Sequence, residues 1–258
     1  VDVAGPMCRA ADMQPFYDAL PFPLTDAQRR AIGDAVGDMT SSRPMNRLCQ
    51  GDVGSGKTMV AAAAAYCAAR NGAQTALMAP TEILAEQHFA SLSALFVPLG
   101  VSVALLTGSM TGKQKKDVRE RIAAGEVQVV IGTHALLSES TRFEHLGLVI
   151  TDEQHRFGVG QRSRLSAKGE DPHLLVMSAT PIPRTLALIL YGDLDVSLLD
   201  ELPPGREPVD TFLVGESYRP RINAFIRKQV AEGHQCFVVC PAVEENEELG
   251  IKAASVWA

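Results

Sequence analysis

The chain has 258 residues, of which 46% are hydrophobic and 21% charged, and its formal net charge is −6 at pH 7. This length and hydrophobic fraction suffice for one large domain, or for one domain and part of a second. The composition argues against a membrane protein, since no apolar stretch approaches the roughly 20 residues of a span, and against bulk electrostatic attraction of nucleic acid.

The N-terminus and the cysteines indicate where such a chain works. The chain begins with Val1 rather than Met, which suggests an excised segment, and residues 1–20 are expected to be a connector without an assigned role. No basic stretch followed by an apolar one is present there, so no signal peptide is expected. Five scattered cysteines favour a reducing compartment and therefore a cytoplasmic protein with thiols in its core.

Two interpretations apply to the sequence Leu24-Thr25-Asp26-Ala27-Gln28. Thr25 and Gln28 have the spacing of a capping box, which satisfies free backbone N–H groups at the start of a helix. The amide of Gln28 could also pair with the N6/N7 edge of adenine. Both interpretations hold together if the cap fixes the direction in which Gln28 projects.

A complete Gly-x-x-x-x-Gly-Lys-Thr pattern follows a short apolar run and precedes an alanine-rich helical stretch. A strand, a glycine turn and a helix together direct backbone N–H groups at one polyphosphate. Lys57 is expected to reach the β- and γ-phosphates, and the Thr58 hydroxyl to coordinate Mg²⁺. The predicted ATP-binding residues of this loop are Gly51, Asp52, Val53, Gly54, Ser55, Gly56, Lys57 and Thr58.

Beyond this loop, short apolar runs alternate with helical patterns. Strands are predicted at 75–79, 101–106, 127–131, 146–150 and 174–177, and helices at 81–97, 112–124 and 183–190, with a short helix after Thr133. Alternation of this kind predicts an α/β fold in which helices cover both faces of a parallel sheet.

The predicted strand 146–150 runs into two carboxylates, Asp152 and Glu153. They would lie at the carboxyl end of the sheet, where ligands of open α/β sheets bind and where the phosphate loop also opens. Asp152 is expected to hold Mg²⁺, and Glu153 to orient and deprotonate the attacking water. For His155, contact on the γ-phosphate side and plain packing are equally compatible with the sequence.

Hydroxyl residues follow several other predicted strands. Each alone is typical of a helix cap, but several along one edge offer N–H and OH donors to a nucleic-acid backbone. Ser178 and Thr180 are either part of a helix cap or partners of the acidic pair. The basic stretch 113–121 is interpreted as a solvated helix face. The residues predicted to bind the nucleic-acid backbone are Thr81, Thr107, Ser109, Thr133 and His134.

The composition changes near residue 203, where proline and glycine become frequent. In the last part of the chain, strands are predicted at 209–214 and 236–240, around a helix at 217–232. Two strands and one helix do not enclose a core of their own. The expected division is 21–202 for a first domain, 203–208 for a linker, and 209–258 for the truncated beginning of a second α/β domain.

Six segments occur in a characteristic order: 24–28 (LTDAQ), 51–58 (GDVGSGKT), 79–88 (APTEILAEQH), 132–137 (GTHALL), 152–162 (DEQHRFGVGQR) and 178–185 (SATPIPRT). In this order they resemble the motifs of superfamily 2 helicases, specifically the RecG family of branched-DNA helicases. The transcription–repair coupling translocases share the TPIPRT and RFGV segments. The DEQH form followed by Gln-Arg is more similar to RecG.

This resemblance implies a RecA-like P-loop NTPase fold and ATP-driven translocation on duplex DNA, with fork reversal and Holliday-junction migration in bacterial recombination and repair. By motif match, the loop residues and the acidic pair would carry ATP and Mg²⁺ chemistry, and Gln28 would contact adenine. Thr180, together with Ser178 and His155, would couple hydrolysis to movement. The threonines at 81, 107 and 133 would lie on the DNA side.

The family also has parts that the sequence lacks: an N-terminal wedge domain, and later motifs whose arginines reach the γ-phosphate. Such an arginine is worth about 10³–10⁵ in rate in related phosphoryl transfer. We therefore expect the motor portion of a monomeric DNA helicase, or, for this polypeptide alone, a nucleotide-binding half-site without significant turnover. The TPIPRT and DEQH segments disfavour a P-loop ATPase of protein transport.

Overall fold

A computed structural model describes residues 8–152, 165–169, 171–179, 194–201 and 209–239. The chain divides into two compact units, residues 1–206 and residues 207–258. The predicted domain limits, including the linker at 203–208, remain a prediction.

The first unit alternates helices and strands along the chain. Its helices are α1 (Gln14–Asp18), α2 (Asp26–Met39), α3 (Lys57–Arg70), α4 (Glu82–Phe96) and α5 (Gly112–Ala123). Its strands are β1 (Asn46–Gly51), β2 (Gln74–Met78), β3 (Val103–Leu106), β4 (Val129–Gly132), β5 (Leu146–Asp152), β6 (His173–Ser178) and β7 (Asp195–Leu199). A short 3₁₀ helix, His134–Leu137, follows β4 as predicted.

The seven strands form one sheet in the order β3-β4-β2-β5-β6-β1-β7, and every neighbouring pair is parallel. All carboxyl ends therefore lie at the same edge of the sheet. The central strand β5 is buried over all but its last residue, Asp152, as expected for a strand covered on both faces. Strand β7 and helix α1 were not predicted, and the helix predicted at 183–190 lies outside the described residues.

Successive residues of the strands contribute to opposite hydrophobic clusters. Leu77 packs in a cluster with α2, α3 and α4, whereas its neighbours Ala76 and Met78 pack in a second cluster with α5. Ile150 and Val149 divide between the same two clusters. This alternation follows from the two-residue period of a strand. The structure confirms the predicted parallel sheet with helices on both faces.

Helix starts follow the capping rules. The Thr25 hydroxyl accepts a hydrogen bond from the Gln28 backbone N–H, while the Gln28 side chain accepts one from the Thr25 N–H, so the predicted capping box is present. Thr81 caps α4 in the same way through Leu84 N–H, and Thr111 caps α5.

The segment before α2 belongs to the core of the first unit. Phe16 of α1 is fully buried, and its ring lies 5.7 Å from that of Tyr66 in α3. The Arg9 N–H donates to the side chain of Asn71, which follows α3. The described part of residues 1–20 is thus folded onto α3, a role that the sequence did not reveal.

The second unit contains helix α6 (Arg219–Ala231), preceded by a 3₁₀ turn at Glu216–Tyr218. The helix was predicted, but the strands at 209–214 and 236–240 are wrong over their described residues, which form no ladder. Cys236, one of the thiols expected in the core, is exposed, and so is its neighbour Phe237. A strand needs a neighbour for its backbone N–H and C=O groups, and the described residues 209–239 supply none.

Among the described residues, no helix combines the length and the apolar character needed to cross a membrane.

Candidate functional site

The carboxyl edge of the sheet gathers the predicted nucleotide residues. Strand β1 runs directly into the loop that begins at Gly51, and β5 ends at Asp152. Strand β6 lies between them and ends at Ser178. Since neighbouring strands lie about 4.8 Å apart, the chain ends of β1 and β5 are separated by roughly 10 Å along this edge. A single bound polyphosphate can reach both.

The loop before α3 has the backbone of a phosphate cradle. Gly54 and Gly56 have φ values of 80° and 88°, which glycine adopts without the strain that a side chain adds. A Cβ atom on Gly56 would also collide with the buried side-chain amide of Gln28. The backbone conformation thus requires glycine at positions 54 and 56, and at position 56 a side chain would in addition clash with Gln28.

Lys57 is the first residue of α3 and is buried. Its ammonium group donates to the carbonyl oxygens of Gly51 (2.6 Å) and Asp52 (2.8 Å), so it lies curled over its own loop. Among the described residues its hydrogen-bond partners are two neutral carbonyls, and its positive charge can therefore attract an anion. This position fits the role that the sequence predicts for it.

Gln28 braces the loop from α2. It is 1% exposed, its amide nitrogen donates to the Ser55 carbonyl at 2.8 Å, and its amide oxygen completes the capping box. Both amide atoms are therefore engaged within the protein, whereas bidentate pairing with adenine needs both of them. The adenine contact stays a prediction, and the bracing of the loop is what the structure adds.

Asp152 has a partner that the sequence did not predict. Its Oδ2 atom lies 2.6 Å from Nε2 of His88, and both side chains are only 12–13% exposed. His88 belongs to α4, the helix that follows β2, and β2 pairs with β5. Only the strand order reveals this contact, since 64 residues separate the two side chains in the chain.

The residues present fit a divalent cation that is shared with a nucleotide. The Thr58 hydroxyl and the Asp152 carboxylate are hard oxygen donors of the kind that Mg²⁺ prefers. Ser55 Oγ in the same loop is buried without a hydrogen-bond partner in the described part of the chain. No group of three or more His, Cys, Asp or Glu side chains there could hold a metal alone, so phosphate oxygens would have to complete the shell.

Of the functional residues predicted after β5 and β6, the structure describes one. Ser178 is buried at the end of β6, in register with Gln50 of β1. Glu153, His155 and Thr180 lie outside the described residues, and their roles remain predictions.

The predicted backbone-binding residues fall into an exposed and a buried set. Ser109 and His134 are exposed, and Thr81 is half-buried with its hydroxyl engaged in the cap of α4. Thr107 and Thr133 are buried, so their hydroxyls do not reach the surface. For these two residues, only the backbone remains as a donor to a nucleic acid.

A carboxylate already binds one of the backbone N–H groups that were predicted to bind a nucleic acid. Glu82, the first residue of α4, accepts the Ser109 backbone N–H at 2.9 Å. Hydrogen bonds from the Ser109 side chain, and then from its backbone and that of Gly108, hold the pKa of Glu82 below its ordinary value. A phosphate that binds the Ser109 N–H would have to displace Glu82. The sequence did not predict this competition between the two anions.

A basic groove lies beside these residues. It has a volume of about 520 Å³, and Gly108, Lys115, Arg119, His134 and Ser138 are among its lining residues. Lys115 and Arg119 are half-buried and lie four residues apart on one face of α5, whereas the other cations of the stretch 113–121 are exposed. The interpretation as a solvated helix face therefore holds for those exposed cations and not for this pair.

These features assign the first unit to a class of proteins, the P-loop nucleotide-binding domains. Its parallel sheet carries a phosphate loop after β1 and a carboxylate at the end of β5, as is typical of that class. The family model of the DEAD/DEAH box helicases matches residues 25–189. The chain therefore belongs to the DEAD/DEAH box helicase family, within which its relatives place it in the RecG group.

Two relatives and two solved structures illustrate the match. The chain is 53% identical over 243 residues to the ATP-dependent DNA helicase RecG of Bacillus subtilis, covering 94% of the chain and 36% of that protein. It is 51% identical over 242 residues to the protein of that name from Synechocystis, with coverages of 94% and 29%. The chain thus spans about a third of the length of these curated relatives.

Among solved structures, RecG bound to a three-way DNA junction superposes with a TM-score of 0.80 at 46% identity, over 91% of this chain and 32% of that one. The DEAD-box helicase Mss116 superposes with a TM-score of 0.66 at 18% identity, over 88% and 52% of the two chains. The second likeness concerns the fold alone.

Proposed function

We propose that this chain is the ATP-binding motor portion of a RecG-type DNA helicase that couples ATP hydrolysis to the remodelling of forks and Holliday junctions. The observation that carries the proposal is the position of the Lys57 loop and Asp152 on one edge of the sheet. The similarity to a RecG protein solved on a three-way DNA junction supports branched DNA as the partner. A cytoplasmic, bacterial, monomeric protein fits this proposal.

On the nucleotide side, each residue has a distinct task. The loop N–H groups and the Lys57 ammonium bind the phosphates, so Lys57 exchanges its two carbonyl partners for phosphate oxygens. Thr58 and Asp152 would hold Mg²⁺, which would supply positive charge to neutralise the phosphates. Glu153 orients the attacking water and accepts its proton.

On the DNA side, the exposed hydrogen-bond donors and the basic groove bind the DNA backbone. Lys115 and Arg119 supply positive charge beside Gly108 and His134 on a chain whose net charge is −6. Contacts of this kind bind phosphates without reading sequence. The proposal therefore predicts salt-sensitive binding that depends on DNA shape rather than on sequence.

The 258-residue polypeptide by itself is expected to bind nucleotide with little turnover. Residues in the remaining two thirds of its relatives' length would be missing from such a preparation, including arginines that approach the γ-phosphate in related enzymes. Poor turnover by the polypeptide and efficient turnover in a longer chain are thus both parts of the proposal.

The test uses a chimera in which this chain replaces the matching 243 residues of the Bacillus subtilis relative. We expect ATP hydrolysis that a three-way DNA junction stimulates, and that Lys57→Ala or Glu153→Gln abolishes. A Lys115→Ala/Arg119→Ala variant should keep the DNA-independent rate and require more DNA for stimulation. Junction-independent hydrolysis in the parent chimera would contradict the DNA part of the proposal, and full activity of Glu153→Gln would remove that residue from catalysis.

A further inference from the structure

Helix α4 reaches from one part of the carboxyl edge to another. At its first residue, Glu82 binds the Ser109 N–H after β3. Less than two turns later, His88 binds the carboxylate of Asp152 at the end of β5. The sheet order explains both contacts, since α4 follows β2, and β2 lies between β4 and β5. His88 thus contacts the carboxylate that ends β5 from a helix that does not belong to the phosphate loop.

The chemistry of the contact assigns the proton. An ionised carboxylate only accepts hydrogen bonds, so Nε2 of His88 carries the hydrogen and donates it to Oδ2 of Asp152. At 2.6 Å the contact is slightly shorter than the roughly 2.7–2.9 Å of N–H···O bonds between ionised partners, so the two side chains lie in close contact. Both side chains are 12–13% exposed, so water competes little for either partner, in contrast to an ordinary surface ion pair.

The bond restricts the orientation of Asp152. A carboxylate at a strand end rotates about its terminal torsion, which has a broad energy profile. A donor fixed at Oδ2 favours one orientation of the carboxylate, in which Oδ1 is the oxygen that His88 does not contact. Partners of this type, which orient a ligating side chain without touching the metal, typically change metal affinity 10–100-fold when they are removed.

We propose that His88 is a positioning residue, which orients the Asp152 carboxylate for the Mg²⁺ of a bound nucleotide. The inference rests on the proposed function, since it needs Asp152 to act at the metal. In this role His88 acts on the metal through Asp152 and is not itself a ligand. Its removal should therefore weaken the contribution of Mg²⁺ to nucleotide binding while leaving the metal-free interaction with the phosphate loop intact.

The experiment measures the dissociation constant of a fluorescent ATP analogue on the 258-residue polypeptide, with Mg²⁺ and with EDTA. The readout is the ratio of the two constants, so no turnover is needed. We expect His88→Ala to reduce the Mg²⁺ enhancement by about tenfold and to change the EDTA value little. His88→Gln should lie between parent and His88→Ala, since a glutamine amide also donates a hydrogen bond.

The matched control is His145→Gln. His145 is exposed and directly precedes β5 at its amino end, so it has the residue type of His88 but lies at the end of the strand opposite to Asp152. This variant should keep the parental ratio. Circular dichroism spectra and thermal melts of all variants identify any that fail to fold, and His88→Gln, the milder change, then carries the test.

Three results overturn the proposal, and they differ in meaning. If His88→Ala retains the parental Mg²⁺ enhancement while Asp152→Asn loses it, His88 has no positioning role and the proposed metal site stands. If Asp152→Asn also retains the enhancement, the assignment of Asp152 to the metal fails, and the role of His88 fails with it. A loss of nucleotide binding in both EDTA and Mg²⁺ for His88→Ala would make His88 a structural residue and would equally refute the proposal.

Discussion

Helices α3 and α6 have similar lengths, 14 and 13 residues, and opposite surroundings. Residues 60–69 of α3 are all buried, whereas the described residues of the second unit, those of α6 included, are half-buried or exposed. The difference lies in what each helix can pack against. Helix α3 contacts α2 and the central strands of a seven-stranded sheet, while the described part of the second unit provides no strand for α6.

The same contrast explains which strands form. In the first unit each central strand pairs on both sides, and its apolar residues enter two hydrophobic clusters. Residues 236–239 have an equally apolar sequence, yet Phe237 and Val239 are exposed. An apolar run becomes a strand when a neighbour satisfies its backbone and a helix covers it. Whether an apolar run forms a strand is therefore decided by the elements around it and not by its local sequence.

The largest expected effect concerns two leucines. Leu77 in β2 is 1% exposed, and Leu213 in the second unit is fully exposed. Leu77→Ala should lower the free energy of unfolding by about 2–5 kcal/mol, since it leaves a cavity in a packed core. Leu213→Ala should change it by less than about 0.5 kcal/mol. Urea unfolding followed by circular dichroism measures both, and equal losses would break the comparison.

The next effect concerns two glycines with the same backbone conformation. Gly56 in the phosphate loop and Gly233 after α6 both have a φ of 88°. A Cβ on Gly56 would meet the Gln28 amide, whereas nothing lies within 4 Å of a Cβ on Gly233. Alanine at either position costs about 1–2 kcal/mol of backbone strain. Gly56→Ala should cost about 1–3 kcal/mol more, because Gln28 must give up its hydrogen bonds.

Thermal unfolding and nucleotide binding distinguish these two variants. Gly56→Ala should weaken the binding of a fluorescent nucleotide as well as stability, while Gly233→Ala should leave binding unchanged. Adding Gln28→Ala to Gly56→Ala should recover part of the lost stability, since the colliding amide is then absent. Identical losses for the two glycine variants would show that the collision with Gln28 has no energetic weight.

The smallest effect leaves stability untouched and compares two thiols. Burial raises the pKa of Cys49 in β1 to about 12, so very little thiolate is present at pH 8. Cys236 in the second unit is exposed. Alkylation with iodoacetamide at pH 8, read by mass spectrometry of the peptides, should modify Cys236 within minutes and leave Cys49 unmodified. Comparable rates for the two thiols would contradict the burial of β1.

The sequence predicted what depends on local patterns. The positions of β2, α4, α5 and β5 agree with their predicted ranges within a few residues, since apolar periodicity and the threonine caps act over short distances. The capping box at Thr25 and Gln28 is confirmed for the same reason. Predictions for residues 209–214 and 236–239 were wrong because a strand depends on partners distant in the chain.

The site shows the same division. The loop 51–58 and Asp152 could be found from motifs, because their chemistry requires particular residues next to one another or next to a strand. The bracing of the loop by Gln28, the contact of His88 with Asp152, and the engagement of Ser109 by Glu82 join residues at least 27 positions apart. Only the order of the strands brings such partners together, and no single segment of the sequence encodes it.

The central claim is that the phosphate loop and the end of β5 serve one metal–nucleotide site, and paramagnetic NMR tests it directly. Mn²⁺·ADP would be added to the isotopically labelled polypeptide, with Mg²⁺·ADP as the diamagnetic reference. The account predicts that the amide signals of Gly54, Gly56 and Asp152 broaden together, while Asn46 at the opposite end of β1 is much less affected. Broadening of the loop signals without that of Asp152 would contradict a shared site.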